Sequence, residues 1–330
     1  MPNRDPYLDN LKIILVFCVV TTHFFFEYRH SASMMAAFNA MCVFIMPVFI
    51  FISGYLSRHI KGQRPKDIVI LLVPYFILEI LNLVFTKSTH LGYGNKSLLI
   101  PTYQNWYLLS LFFWRLIIPY FRALKSPYAI LIAFLISFLS GFVPQLGEFL
   151  SLYRTFFYLP VFVLGFYSKD IRTVISDKSS HKWIAGVLFF GFIISIALVS
   201  YNNTYKAEDI FYAYLPNSGY TSHLSSIVLR NIALISSILC AYCFMHIIPG
   251  RHLKITALGR NTLYIYLFHM FLVLPIIKVS GEYSAGKTEI IIIISSICIS
   301  VLLSSNAVCS LLKWVIYPSI PDRIKSKIQS

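Results

Sequence analysis

The sequence predicts an all-α protein: a single polytopic membrane bundle over residues 1–330, with about ten transmembrane helices and both termini cytoplasmic. Three observations carry this expectation. Hydrophobic residues make up 57% of the chain and charged residues only 12%, with mean hydropathy +0.71, whereas a soluble domain carries about 25% charged residues. Apolar runs recur from Leu11 to Trp314, and no polar stretch between them is long enough to build a separate domain. Finally, Lys and Arg are divided unevenly between alternate loops, as the positive-inside bias requires.

A hydrocarbon core of roughly 30 Å takes about 20 apolar residues in a helix. Ten segments suit this requirement: 9–27, 36–57, 67–86, 104–121, 127–146, 155–168, 182–201, 222–247, 260–279 and 288–315. No small-residue cleavage site follows the first run, so that helix is expected to be retained rather than removed as a signal peptide. The sixth segment is short and contains Pro160 and Gly165, so it is expected to bend or to cross incompletely. With a cytoplasmic N-terminus, the inside segments hold eighteen Lys and Arg, and the outside loops hold seven; Arg115, Arg230 and Lys313 lie within spans. An even number of spans preserves this alternation.

The net charge of +15 would suggest nucleic acid in a soluble protein. Here it reads as loop charge facing membrane lipids, with no nucleic-acid partner. All six cysteines fall in apolar runs, where they behave as small buried hydrophobes. They imply no disulfide framework. Cys240 and Cys243 sit one helical turn apart, and no second pair completes a metal site, so no metal is expected.

Ionisable residues inside a membrane are costly and default to functional hypotheses. His23, Glu79, Arg115, Arg230 and His269 are the ones to explain. Ten residues separate Lys12 from His23, which places the imidazole roughly 16 Å deeper than the lysine at 1.5 Å per residue. His269 lies nine residues beyond Arg260 on a span of the same direction, roughly 13 Å deeper. The two histidines are therefore expected at similar depth, where an imidazole can act as a general base. Each could instead simply hydrogen-bond between helices. Glu79 is expected to pair with a buried arginine or to hold a histidine tautomer, and Arg115 and Arg230, closer to span ends, either to snorkel to an interface or to bind an anion. The loop carrying Arg58, His59, Lys61, Arg64 and Lys66 can bind phosphate or can be ordinary topogenic charge.

The motifs, taken together, resemble a known family. RDPYLDNLKIILVFCVVTTH carries Lys12 and His23; MPVFIFISGYLS carries Pro47, Phe49, Ser53, Gly54 and Tyr55; NWYLLSLFFWRL carries Trp106 and Arg115; EFLSLYRTFFYLPVFVLGFYSK carries Arg154, Pro160 and Gly165; and LGRNTLYIYLFHMF carries Gly259, Asn261, Tyr264, Tyr266 and His269. In this the chain resembles the acyltransferase 3 superfamily, and most closely its fucose 4-O-acetylase-like branch. One position departs: the branch commonly has a histidine before the Met-Pro of the second helix, and here that residue is Ile45.

The resemblance implies a multi-pass protein of a cell membrane, bacterial inner or plasma membrane. It implies an O-acetyltransferase that moves acetyl from cytoplasmic acetyl-CoA, a cosubstrate rather than a permanently bound cofactor. The acceptor is a sugar hydroxyl of a surface or exported glycan, free or lipid-linked. His23 and His269 would be catalytic. Lys12, Arg58 and Arg64 would attract CoA phosphates, while Ser53, Tyr55, Glu79, Asn261 and Tyr264 would support the site or its oxyanion. Trp106 and Arg154 would meet the sugar. No appended catalytic domain is expected. A proton-coupled transporter or flippase of a glycan is the competing reading, since buried histidines with a mid-span carboxylate also describe a proton relay; it calls for internal repeats with broken helices, and no repeat between the halves is visible.

Overall fold

The computed structural model describes residues 4–28, 30–60, 65–92, 97–143, 146–171, 179–202, 223–280 and 287–316. Among these there are thirteen α-helices and no strand. In chain order they are α1 (Pro6–Glu27), α2 (Ala32–Ser57), α3 (Pro65–Thr89), α4 (Trp106–Arg122), α5 (Ser126–Ser140), α6 (Leu152–Phe157), α7 (Leu159–Tyr167), α8 (Ser179–Asn202), α9 (His223–Ile247), α10 (Thr262–Phe268), α11 (Met270–Ser280), α12 (Lys287–Ser304) and α13 (Asn306–Ile316). Arg64 lies outside the described residues.

Helix occupies some of every predicted segment, but the spans are not all straight or full length. α1, α2, α3, α8, α9 and α12 are each long and apolar enough to cross a membrane. Two bent pairs raise the number to eight if each pair is one span: α6 with its preceding turn against α7, at 57°, and α10 against α11, at 53°. The fourth and fifth segments give α4 with 17 residues and α5 with 15, shorter than the roughly 20 that span hydrocarbon. The bend expected near Pro160 is present, with Tyr158 at the junction. The ninth and tenth segments, expected as continuous, break at His269 and Ser305.

Local chemistry explains how α1 is set. The Asp5 carboxylate accepts from the Tyr7 amide at 3.0 Å, and Pro6 occupies the first turn, where its missing N–H costs nothing. The same stretch is stitched to the far end of the chain. Tyr7 Oη donates to Met245 O at 2.8 Å, and Asn10 Nδ2 donates to Pro249 O and Arg251 O, both at 2.8 Å. Asn10 Oδ1 accepts from Thr256 Oγ1 at 2.5 Å. Much of the opening motif is therefore structural: it satisfies one carbonyl in the last turn of α9 and two in the loop that follows.

α2 is the central helix and packs against α1, α7, α8 and α9. Its seam with α7 is a backbone-to-backbone contact. A Cβ on Gly54 would lie 2.0 Å from Phe162 O, and one on Gly165 would lie 2.0 Å from Phe51 O. Small residues that let helices approach this closely are how membrane helices gain packing energy without a hydrophobic drive between them.

Candidate active site

Two helix ends and two helix breaks converge on one cavity. It is lined by Val19, Thr22 and His23 of α1, by Phe38, Cys42, Ile45 and Met46 of α2, and by Tyr103, Gln104 and Trp106 at the entry of α4. Arg154 and Tyr158 of the α6 bend and Tyr266 of α10 complete it. About 560 Å³ of space free of protein atoms lies in and around it, open solvent at its mouth included. It lies in the half of the bundle opposite the Lys12 end of α1.

His23 is half-buried in this wall, and its ring centroid is 4.9 Å from that of His269, with the planes tilted by 45°. The matched depth read from sequence therefore corresponds to direct contact. His269 is fully buried, at the break between α10 and α11. Its Nδ1 is 2.8 Å from Tyr266 O and 3.0 Å from Ile265 O. Since carbonyls only accept, Nδ1 carries the proton and Nε2 carries a lone pair. That Nε2 has no hydrogen-bond partner among the described residues. A side chain bonded to carbonyls of its own preceding turn competes with the helical ladder, which accounts for the kink.

Another part of the cavity wall is aromatic and cationic. Trp106 stacks on Tyr158 with centroids 6.0 Å apart and planes 23° apart, and the Arg154 guanidinium lies 5.3 Å from the Trp106 ring centre. Ile45 lies in this cavity, 2% exposed, so the departure from the branch's histidine makes the α2 wall apolar alongside Cys42 and Met46.

The turn that carries Tyr103 and Gln104 is held from behind by Glu79. That carboxylate is fully buried and takes the Thr102 amide at 2.8 Å, the Thr102 hydroxyl, and Asn105 Nδ2 at 2.9 Å. Tyr103 has φ 45°, a left-handed conformation costing about 1–3 kcal/mol that persists only where surrounding contacts over-determine it. The α6 bend is fixed similarly. Ser110 and Thr155 share a hydrogen bond of 2.7 Å, Trp114 Nε1 donates to Thr155 O at 2.8 Å, and Ser137 Oγ donates to Phe157 O at 3.0 Å.

Other candidates fall elsewhere. Ser53, Tyr55, Asn261 and Tyr264 do not line the cavity. Ser53 hydrogen-bonds the Tyr107 hydroxyl, and Asn261 Nδ2 donates to Ser304 O at 2.7 Å. Lys12 Nζ is 2.8 Å from Asp9, which also takes Arg4. Arg58 donates to Ser168 O, Lys169 O, His59 Nε2 and Tyr55 Oη, with its guanidinium 3.9 Å above the Tyr55 ring. It thus ties the end of α2 to the segment after α7. Arg230 does not snorkel: it is buried, 4.2 Å from the Tyr153 ring centre and 4.5 Å from that of Phe157, and it donates to Ser137 O and Ser140 Oγ. Aromatic faces and an adjacent carbonyl replace the water it would otherwise seek.

Sequence reasoning passed over Gln104, Tyr103, Tyr158 and Thr22. The available signal was weak. Gln104 lies at the mouth of a span, where polar residues are ordinary, and Tyr158 stands two residues before Pro160.

A family model described as an acyltransferase domain matches residues 5–306. The chain belongs to the acyltransferase 3 family. No curated protein and no solved structure matches it. This acyltransferase is an enzyme and a multi-pass membrane protein. The family match runs through every wall of the cavity, and it decides between the enzyme and the transporter, although the two broken spans are a feature that the transporter reading also called for.

Proposed function

We propose that this acyltransferase moves an acetyl group from cytoplasmic acetyl-CoA to a hydroxyl of a sugar in a surface or exported glycan, with His23 as general base. The observation that carries the reading is that one cavity is lined by His23 together with Arg154 and the Trp106–Tyr158 stack. An aromatic platform with a polar rim suits the mixed apolar and hydroxyl faces of a sugar. His23 takes the proton of the attacking hydroxyl as its oxygen bonds to the thioester carbonyl carbon. The tetrahedral intermediate then collapses, and CoA leaves as the thiol with the proton that His23 returns.

His269 supports the site from behind: its Nδ1 proton is held by two carbonyls, which fixes the ring against His23. The loop charge supports a cytoplasmic N-terminus, which puts the Lys12 end of α1 inside and the cavity in the outer half. The thioester would then reach His23 from the Lys12 side, a distance of roughly 16 Å along α1. Lys12, the described Arg58 and the undescribed Arg64 are the proposed phosphate-facing cations, and acetyl-CoA and membrane lipids the proposed partners.

The test is acetyl transfer from labelled acetyl-CoA to candidate glycans by purified protein in liposomes, compared with His23→Ala. Undiminished transfer in the variant would remove His23 from the chemistry. Movement of glycan across the bilayer without acetylation would favour a flippase.

A further inference from the structure

One residue of the cavity wall carries a buried polar atom whose role as an acceptor is fixed by geometry. Gln104 is 2% exposed and lines the cavity that holds His23. Its Nε2 donates to Leu267 O at 2.8 Å. A carbonyl cannot donate, so the amide cannot be flipped, and Oε1 is held as an acceptor. That Oε1 is buried and has no hydrogen-bond partner among the described residues. The residue is also held through its backbone, where Gln104 O accepts from Tyr266 Oη at 3.0 Å. On the other side, Glu79 grips Thr102 and Asn105 around it.

A buried acceptor without a donor is costly, and native proteins leave few of them. Here several independent bonds keep it in place rather than letting it turn away. A ligand hydroxyl entering the cavity relieves that cost. We infer that Gln104 is a specificity-determining residue whose Oε1 accepts a hydrogen bond from a sugar hydroxyl other than the one acetylated. The inference rests on the acetyl transfer proposed above and deepens it: the acceptor is a polyol that offers two hydroxyls at once, one to His23 and one to Gln104. An acceptor lacking the second hydroxyl leaves Oε1 buried and unpaired, and discrimination by a site built to bond a hydroxyl is strong for that reason.

The experiment is a cycle between Gln104→Met and acceptor hydroxyls. Purified protein in liposomes is supplied with labelled acetyl-CoA and methyl hexopyranosides, and the acetylated glycoside is then compared with its monodeoxy forms. Gln104→Met is expected to raise the acceptor KM about tenfold while leaving the KM for acetyl-CoA unchanged. One monodeoxy acceptor loses about tenfold in kcat/KM with the wild type and nothing further with the variant. A purely structural role would lower all acceptors alike, so equal losses from every monodeoxy form in both proteins would overturn the inference. If the variant does not fold, the wild type alone decides: no monodeoxy form losing more than about twofold, apart from that lacking the acetylated hydroxyl, overturns it as well. Wild-type protein that acetylates neither a glycoside nor a glycan refutes the acetyl-transfer reading and this inference together. Acetylation without coupling refutes only the role of Gln104.

Discussion

Adding a methyl group to glycine has opposite consequences at two kinds of position in this bundle. At Gly54 and Gly165 the new Cβ would fall 2.0 Å from a backbone carbonyl oxygen of the facing helix. The obstructing atoms are backbone, so no rotamer change relieves the clash. Helices α2 and α7 must separate by more than 1 Å, and overpacking of this kind costs about 1–3 kcal/mol or more. At Gly186 and Gly191 of α8 nothing lies within 4 Å of the added atom. There the substitution removes only the helix penalty of glycine, about 1 kcal/mol in favour of alanine. The four Gly→Ala variants should therefore split into two destabilised and two unchanged or stabilised proteins, a gap of roughly 2–4 kcal/mol. Reversible unfolding in mixed detergent micelles measures it. Activity should fall in the same two variants, because the seam sets α2 against the α6–α7 bend that carries Arg154 and Tyr158. Gly54→Ala and Gly165→Ala proteins as stable as Gly186→Ala would refute the argument that α2 and α7 meet backbone to backbone.

Two further outcomes concern the polar supports. Asn10→Ala removes one side chain that bonds two carbonyls and a hydroxyl, so stability should fall by about 2–3 kcal/mol, while the KM values of the remaining folded protein stay near wild type. Unchanged unfolding would contradict it. Glu79→Gln replaces an acceptor of three donors with a group that can satisfy fewer of them, costing about 1–3 kcal/mol. Its effect on rate should exceed its effect on folding, because the turn it holds presents Tyr103 and Gln104. A variant with normal turnover and a normal unfolding midpoint would show that the turn does not depend on Glu79.

The helical class was legible because the lipid requirement is severe: every backbone donor must be satisfied within a segment, so long apolar runs have few alternatives to helix. The break at His269 was not legible. Hydropathy sees a continuous run from 260 to 279, while the cause is an imidazole bonded to the carbonyls of Ile265 and Tyr266. Proline gave the α6–α7 bend away because its missing N–H is written in the sequence. Depth arithmetic along two separate helices brought His23 and His269 to similar depth, and the packing of those helices sets their ring centroids 4.9 Å apart. Arg58, expected from the resemblance to attract phosphate, also donates to carbonyls 110 and 111 residues away, contacts that no local pattern encodes. Lys12 lies one turn from Asp9, so that pairing could have been anticipated from spacing alone. Trp106 and Arg154 entered through the family resemblance rather than through any pattern of their own, and they lie in the cavity with His23.

The central claim is that His23 removes a proton from the acceptor hydroxyl. It is tested most directly by the single-turnover rate of acetyl transfer from acetyl-CoA to a glycan by wild type and by His23→Gln in liposomes. Binding of both substrates is measured in parallel. The account predicts a rate lower by about 10²–10⁴-fold, with both substrates still bound. Transfer at the wild-type rate in the folded variant would contradict it.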